Sequence, residues 1–336
     1  MADGLPRRAV VALGGNAITP SGSSGSAEQQ TIAIAAAMAV VARVVAEGCE
    51  VVITHGNGPQ VGNLLTKNVL ARHVVPAMPL HWCVAQTQAT IGFAMVTALE
   101  HELALRGIDR PVVPVLSRVL VAGDDPAQLE PVKPIGRFVS AADAAAAMAD
   151  DPTQVWREVG PAGWRRVVAS PEPLESLDSR AVHALLDAGA IVIANGGGGV
   201  PVCRMPDGTI VGVEAVVDKD LSAALLALEL GADHLAILTD VDGVAVGYGR
   251  PDERWLAAVA APELRELQAA GTFGSGSMAP KVEAALRFVE GSGHPATIAA
   301  LDRADDALRG RTGTRVLARL EQGATAAARP DRTAPR

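Results

Sequence analysis

A chain of 336 residues that is 49% apolar can bury one large core or two ordinary ones, which excludes a fibrous or extended architecture. Its net charge of −8, with no arginine–aromatic tract, argues against a nucleic-acid surface, and only 3% aromatic residues leave the core to Val, Leu, Ile and Ala, a mixture that suits parallel strands under Ala-rich helices. Three dispersed cysteines, Cys49, Cys83 and Cys203, form no C-x-x-C pair and point to a reducing compartment without disulfide or metal work.

The N-terminus leads into a short strand, Val10 to Leu13, rather than a signal sequence. Gly14-Gly15-Asn16 breaks that strand, and a Ser/Gly loop leads to a helix from about Ala27 to Glu47. Its most apolar part, Ile32 to Val45, is short and carries Arg43, so no membrane span is expected. Val51 to Thr54 forms a second buried strand that ends in His55-Gly56-Asn57-Gly58-Pro59-Gln60-Val61-Gly62. Asn195 to Gly199 follows the strand Ala190 to Ala194, and Asp240-Val241-Asp242-Gly243 follows the strand Leu235 to Thr239. Strands alternating with helices, and glycine turns at strand C-termini, predict an open, mainly parallel α/β sheet sandwiched by helices, with a site along that edge.

Between residues 121 and 173 prolines, an Ala-rich helix near 141–149 and a hairpin signal around Gly163-Trp164 predict a small protruding insert, a flap on the main sheet. A helix from about Glu175 to Ala188 returns to the sheet. Later helices are expected at Pro262 to Ala270 and Pro280 to Glu290, with Gly271 to Ser277 as a loop between them and residues 321–336 as a disordered tail. The organisation expected is one domain over 1–320, with halves at about 1–212 and 213–320.

The densest charge cluster lies in V-E-A-V-V-D-K-D, Val213 to Asp220. An apolar run there meets acid, base, acid just before leucines at helical spacing. Such a strand-to-helix junction sets Lys219 at a helix N-terminus, where partial positive charge already favours a phosphate, although Asp220 as a helix cap would explain the pattern equally well. Lysine occurs at only four positions, 67, 133, 219 and 281, and every other basic residue is arginine. A compact ammonium fits between phosphate oxygens where a planar guanidinium does not, which singles those lysines out. Several strand-end glycine turns on one edge point to anion binding through backbone N–H groups. The sequence lacks G-x-x-x-x-G-K-[ST], H-R-D and D-F-G. Pro59 and the missing ribose acid weigh against reading Gly56 to Gly62 as a dinucleotide turn.

V-V-A-L-G-G-N-A, H-G-N-G-P-Q-V-G-N-L-L, V-K-P-I-G, G-W-R-R-V-V, G-G-G-G-V-P-V, V-E-A-V-V-D-K-D and G-S-M-A-P-K-V-E-A-A, in this order and to about Val316, resemble carbamate kinase, of the amino-acid kinase superfamily. The wider superfamily commonly carries a first-strand lysine where this chain has Ala12, and Lys219 is the expected replacement. The resemblance implies transfer of a phosphoryl group between ATP and carbamate, giving ADP and carbamoyl phosphate, with Mg²⁺ bridging phosphates. It also implies a cytoplasmic homodimer that works toward ATP synthesis in arginine breakdown.

By the same resemblance Lys219 and Lys281 stabilise the transferring phosphoryl group while Asp220 holds the lysines. Gly14, Gly15, Asn16, Gly56, Asn57 and Gly58 form the carbamate and phosphate pocket, and Lys133 reaches in from the flap. The nucleotide is expected near Thr239, Asp240, Tyr248, Met278 and Lys281. Asp218 is left between orienting Lys219 and holding metal-bound water. Val159 and Ala162 stand where the family usually has Asp and Arg, which bears on flap closure. Two other readings remain open from sequence: a same-fold kinase of another small carboxylic acid, and a catalytically silent nucleotide-binding module.

Overall fold

Val, Ile and Ala runs form β1 (Arg8–Leu13) and β2 (Glu50–His55), buried over nearly their full length. The computed structural model describes residues 4–19, 25–274 and 277–320. The expected tail at 321–336 lies outside these, as do residues 20–24 and 275–276 of the two Ser/Gly loops. Six more strands complete the main sheet: β3 (Val112–Pro114), β4 (Ile191–Ile193), β5 (His234–Thr239), β6 (Ala258–Ala260), β7 (Ala296–Ala300) and β8 (Thr314–Leu317). Their order is β6-β8-β7-β5-β1-β2-β4-β3. All neighbours run parallel except β7 and β8.

Side chains alternate across this sheet, so each face feeds a separate core. Val10 and Ala12 of β1 pack on the face covered by α5 (Ser179–Asp187), α6 (Lys219–Glu229), α7 (Ala261–Ala269) and α8 (Met278–Ser292), around the fully buried Phe288. Ala9, Val11 and Leu13 face the other way, onto α1 (Ala27–Ala46), α3 (Leu80–Ala104) and α9 (Ala304–Leu308). Ser26 Oγ caps α1 by accepting from Gln29 N at 3.3 Å. At 20 residues α1 is longer than the apolar stretch expected from sequence, and by length and composition it could cross a bilayer. In the fold its Ile34, Met38, Val41 and Val45 are buried against the sheet.

The insert is a three-stranded antiparallel sheet of Lys133–Val139, Trp164–Val168 and Val155–Glu158, with Trp164–Val168 in the middle and α4 (Ala141–Asp150) beside it. Ser140 caps α4, its Oγ accepting from Asp143 N at 3.1 Å. Val159 and Ala162 lie in the turn at the tip, which closes through Val159 N donating to Gly163 O at 2.8 Å. A second small sheet pairs Val200–Arg204 with Ile210–Gly212 and Arg118–Leu120. The helix expected from about Glu175 begins only at Ser179, because Glu175–Ser176 pairs as a strand with Val119–Leu120.

The flap rests on α2 (Gly58–Ala71) where two glycine motifs meet. A Cβ placed on Gly62 would lie 2.5 Å from Gly136 Cα and 2.8 Å from Gly136 N, and both partners are backbone, so neither can turn aside. Gly136 itself has φ +70, a conformation that L side chains rarely adopt. H-G-N-G-P-Q-V-G and K-P-I-G are therefore two halves of one contact. Gly62→Ala is expected to cost about 1–3 kcal/mol by overpacking. Gly58→Ala, with nothing within 4 Å of its Cβ, should change stability little. Equal denaturation midpoints for the two variants would contradict this contact.

Candidate active site

Strands β5, β1, β2 and β4 are consecutive in the sheet, so the four glycine-bearing strand ends open side by side on its C-terminal edge. Gly14 N donates to Leu238 O at 2.9 Å and Gly56 N to Leu13 O at 3.1 Å. A Cβ on Gly14 would come to 3.0 Å from that carbonyl, and one on Gly56 to 3.4 Å from Gly15 N. The turns after β1 and β2 thus pack backbone against backbone.

Asp218, not Asp220, caps α6: its Oδ1 accepts from Asp220 N at 2.9 Å and Leu221 N at 3.3 Å. Capping by Asp218 frees Asp220, which lies 3% exposed, for the two lysines. Lys219 Nζ stands 2.8 Å from Asp220 Oδ1 and donates to Leu13 O at 3.2 Å. Lys281, in the first turn of α8, donates to Asp220 Oδ2 at 3.1 Å and to Ser277 O at 3.3 Å. Across the cleft the first flap strand delivers Lys133 to Asp218 Oδ2. These five side chains carry three ammonium groups against two carboxylates. Set at a helix N-terminus, the excess positive charge awaits an anion.

Burial lowers the Lys219 pKa, and the nearby Lys281 charge pushes the same way against the pull of Asp220 and Asp218. For Asp220, burial alone would raise the pKa, but Lys219 and Lys281 together outweigh it and hold the carboxyl below its ordinary value. Burial also lowers His55 to about 4, so its ring is neutral at physiological pH and adds no charge to the site.

Two cavities meet at Thr239, Asp240 and Ser277. The first, about 350 Å³, is lined by Gly14, Gly15, Leu238, Asp240 and Lys281. The second, about 360 Å³, is lined by Val241, Gly243, Tyr248, Phe273 and Met278. Tyr248 is 67% exposed and packs edge-on against Trp255, with ring centroids 6.1 Å apart. Thr239, Asp240, Tyr248 and Met278 thus share the nucleoside-sized cavity, while Gly14, Gly15 and Lys281 share the inner one. Asn16 lies in the short 3₁₀ turn after Gly14. Gly58 opens α2 beside Gly56 and Asn57.

Some glycines and polar groups do other work than sequence predicts. The Asn57 amide donates to Thr87 Oγ1 at 2.9 Å and is 3% exposed, so the side chain holds the loop while only its backbone is left to face the cleft. Gly196, Gly197 and Gly198 are buried. A Cβ on any of them would strike His55, Asn57 or Val217, so this turn packs the site from behind rather than cradling an anion. Ser277, which lines both cavities and accepts from Lys281, was not singled out in the sequence. Its place one residue before a helix start was the available signal. No group of three or more His, Cys, Asp or Glu side chains able to hold a metal occurs among the described residues.

The amino acid kinase family model matches residues 7–300. The carbamate kinase of Pyrococcus furiosus is 45% identical over 315 residues, which cover 93% of this chain and 100% of that protein. A solved structure from Aeropyrum pernix K1 superposes with TM-score 0.88 at 46% identity, over 93% of this chain and 99% of that one. The carbamate kinase of Giardia lamblia bound to AMP-PNP superposes with TM-score 0.86 at 38% identity, over 94% of this chain and 99% of that one.

Removal of the shared carboxylate has a defined pH signature. The folded-state pKa of Asp220 lies below 3.8, so as pH falls the unfolded chain binds the proton first. Its contribution to stability is therefore complete above about pH 4 and fades below that as the folded carboxyl titrates. Asp220→Asn should cost about 3–5 kcal/mol at pH 7, the usual penalty for unpairing buried charge, and the gap to the parent should narrow in acid. Urea denaturation of both proteins at pH 7 and below pH 4 checks this; a gap that widens in acid would contradict it.

Proposed function

This chain belongs to the amino acid kinase family, and within it to the carbamate kinases, and on that premise we propose how its own residues carry the transfer and in which direction. The observation that carries the reading is the pair of lysines, from the starts of α6 and α8, on the two oxygens of Asp220 at the inner end of a glycine-lined cavity.

In the direction of ATP formation, a terminal oxygen of ADP bonds to the phosphorus of carbamoyl phosphate while the bond from phosphorus to the carbamate oxygen breaks. Carbamate departs as an anion and ADP already carries its nucleophilic oxygen, so no general base is needed. The difficulty is to bring anions together, and positioned cations supply most of the remedy. Lys219 and Lys281 hold the transferring phosphoryl oxygens, and Asp220 fixes where the two ammonium groups sit. Backbone N–H groups of Gly14, Gly15 and Asn16, and of Gly56, Asn57 and Gly58 at the start of α2, receive the remaining oxygens. Lys133 leaves Asp218 for the carbamate end of the substrate when the flap closes over it.

ADP or ATP occupies the outer cavity, with its base near Tyr248 and Met278 and its phosphates running past Thr239 and Asp240 toward Lys281. Mg²⁺ would be held by Asp240, which lines both cavities, and would supply charge neutralisation for the phosphates there. The chemistry favours ATP formation because carbamoyl phosphate is a mixed anhydride with a resonance-stabilised leaving anion, which suits a cytoplasmic role in arginine breakdown. A homodimer is proposed across the open edge of the sheet. There β3 pairs on one side only, and Phe93 and Leu116 stand 73% and 56% exposed.

Purified protein given ADP, Mg²⁺ and carbamoyl phosphate should form ATP, and acetyl phosphate in place of carbamoyl phosphate should serve poorly. Nucleotide binding without ATP would overturn the reading in favour of a silent module. Equal use of another acyl phosphate would favour a different acid. A monomer by sedimentation at micromolar concentration would contradict the dimer.

A further inference from the structure

The flap carries a cavity that the transfer cleft does not use. Ile135, Arg166 and Trp156 are direct cross-strand partners in one row across the flap sheet, and all three line a cavity of about 400 Å³. Leu65 and Val69 of α2 form one wall and Ala147 of α4 the facing one. The Arg72–Asp150 ion pair joins the C-terminal end of α2 to that of α4 on the same lining, with Arg137 and Asp143.

Arg166 is the anomaly in this cavity. Its Nε is buried without a hydrogen-bond partner, and its guanidinium has no ion pair among the described residues. Asp151 and Glu214 act on it only through space. A buried N–H left unsatisfied costs free energy that a bound anion would recover. Its neighbour in sequence is engaged: Arg165 Nε donates to Gly136 O at 3.0 Å.

We propose that this cavity is a second ligand site, for a small organic monocarboxylate with an apolar body. Arg166 brings a guanidinium with a buried, unpartnered Nε–H to the lining beside Arg137, and its fork matches one planar carboxylate. Leu65, Val69, Ala147 and Trp156 call for an apolar remainder, and the volume is that of a small-molecule site. A multiply charged phosphate fits worse, because Asp143 and Asp150 line the same cavity. The walls come from both α2 and the flap, so an occupant fixes the spacing between them.

Calorimetric titration of the full chain with benzoate, without nucleotide or carbamoyl phosphate, tests the site independently of catalysis. Benzoate should bind saturably, and the neutral isostere benzamide at least about tenfold more weakly, the scale of one charge-assisted hydrogen bond. Arg166→Gln should weaken benzoate to the same degree. Leu65→Trp, which fills the cavity, should abolish binding, and melting curves show whether each variant is folded. No saturable benzoate binding would overturn the proposal, as would unchanged affinity in either folded variant.

Discussion

Two ammonium groups and one buried carboxylate form the interaction on which the rest of this structure depends. Lys219 and Lys281 come from the starts of different helices and meet on the two oxygens of Asp220. Such a cluster is costly to bury, and burial in a low dielectric makes each member strongly dependent on the others. The fold meets that cost by construction. Asp218 takes over the capping of α6, so Asp220 is spared for the lysines, and the carbonyl at the end of β1 accepts from Lys219. Ala12, fully buried one residue earlier in β1, leaves the cleft end of that strand without a charge of its own. The ammonium arrives there from α6 instead.

The same cluster ties the flap to the body. Lys133 pairs with Asp218, two residues from Asp220, while Gly136 of the same flap strand lies against Gly62 of α2. One contact is electrostatic and lies in the cleft; the other is steric and lies on the outside. Between them the flap strand has both a steric anchor and an ionic partner on the body. The inner and the outer cavity need no such device, because Thr239, Asp240 and Ser277 belong to both.

Much of this was legible in the sequence. Strand-end glycines after residues 13, 55, 194 and 239 marked four loops on one edge, and the sheet order makes those strands consecutive. The scarcity of lysine marked four residues, and three of them share two carboxylates while Lys67 lies on α2. What was missed has physical reasons. The α3 helix is buried along much of its length and lacks a side-chain N-cap, so neither a polar face nor a start signal announces it. Glu175–Ser176 pairs as a strand through partners distant in sequence, which local pattern cannot show. The glycines at 196–198 look like an anion cradle because the same freedom from a Cβ serves close packing, and only their neighbours His55, Asn57 and Val217 tell the two uses apart.

If Asp220 makes the two lysines a unit, their contributions to catalysis must be strongly coupled. The direct measurement is a double-mutant cycle on kcat/KM for ATP formation with Lys219→Met, Lys281→Met and the double variant. The account predicts single losses of at least about 100-fold each, and a double loss far smaller than their product. Losses that multiply, or either single variant within a few-fold of the parent, would contradict it.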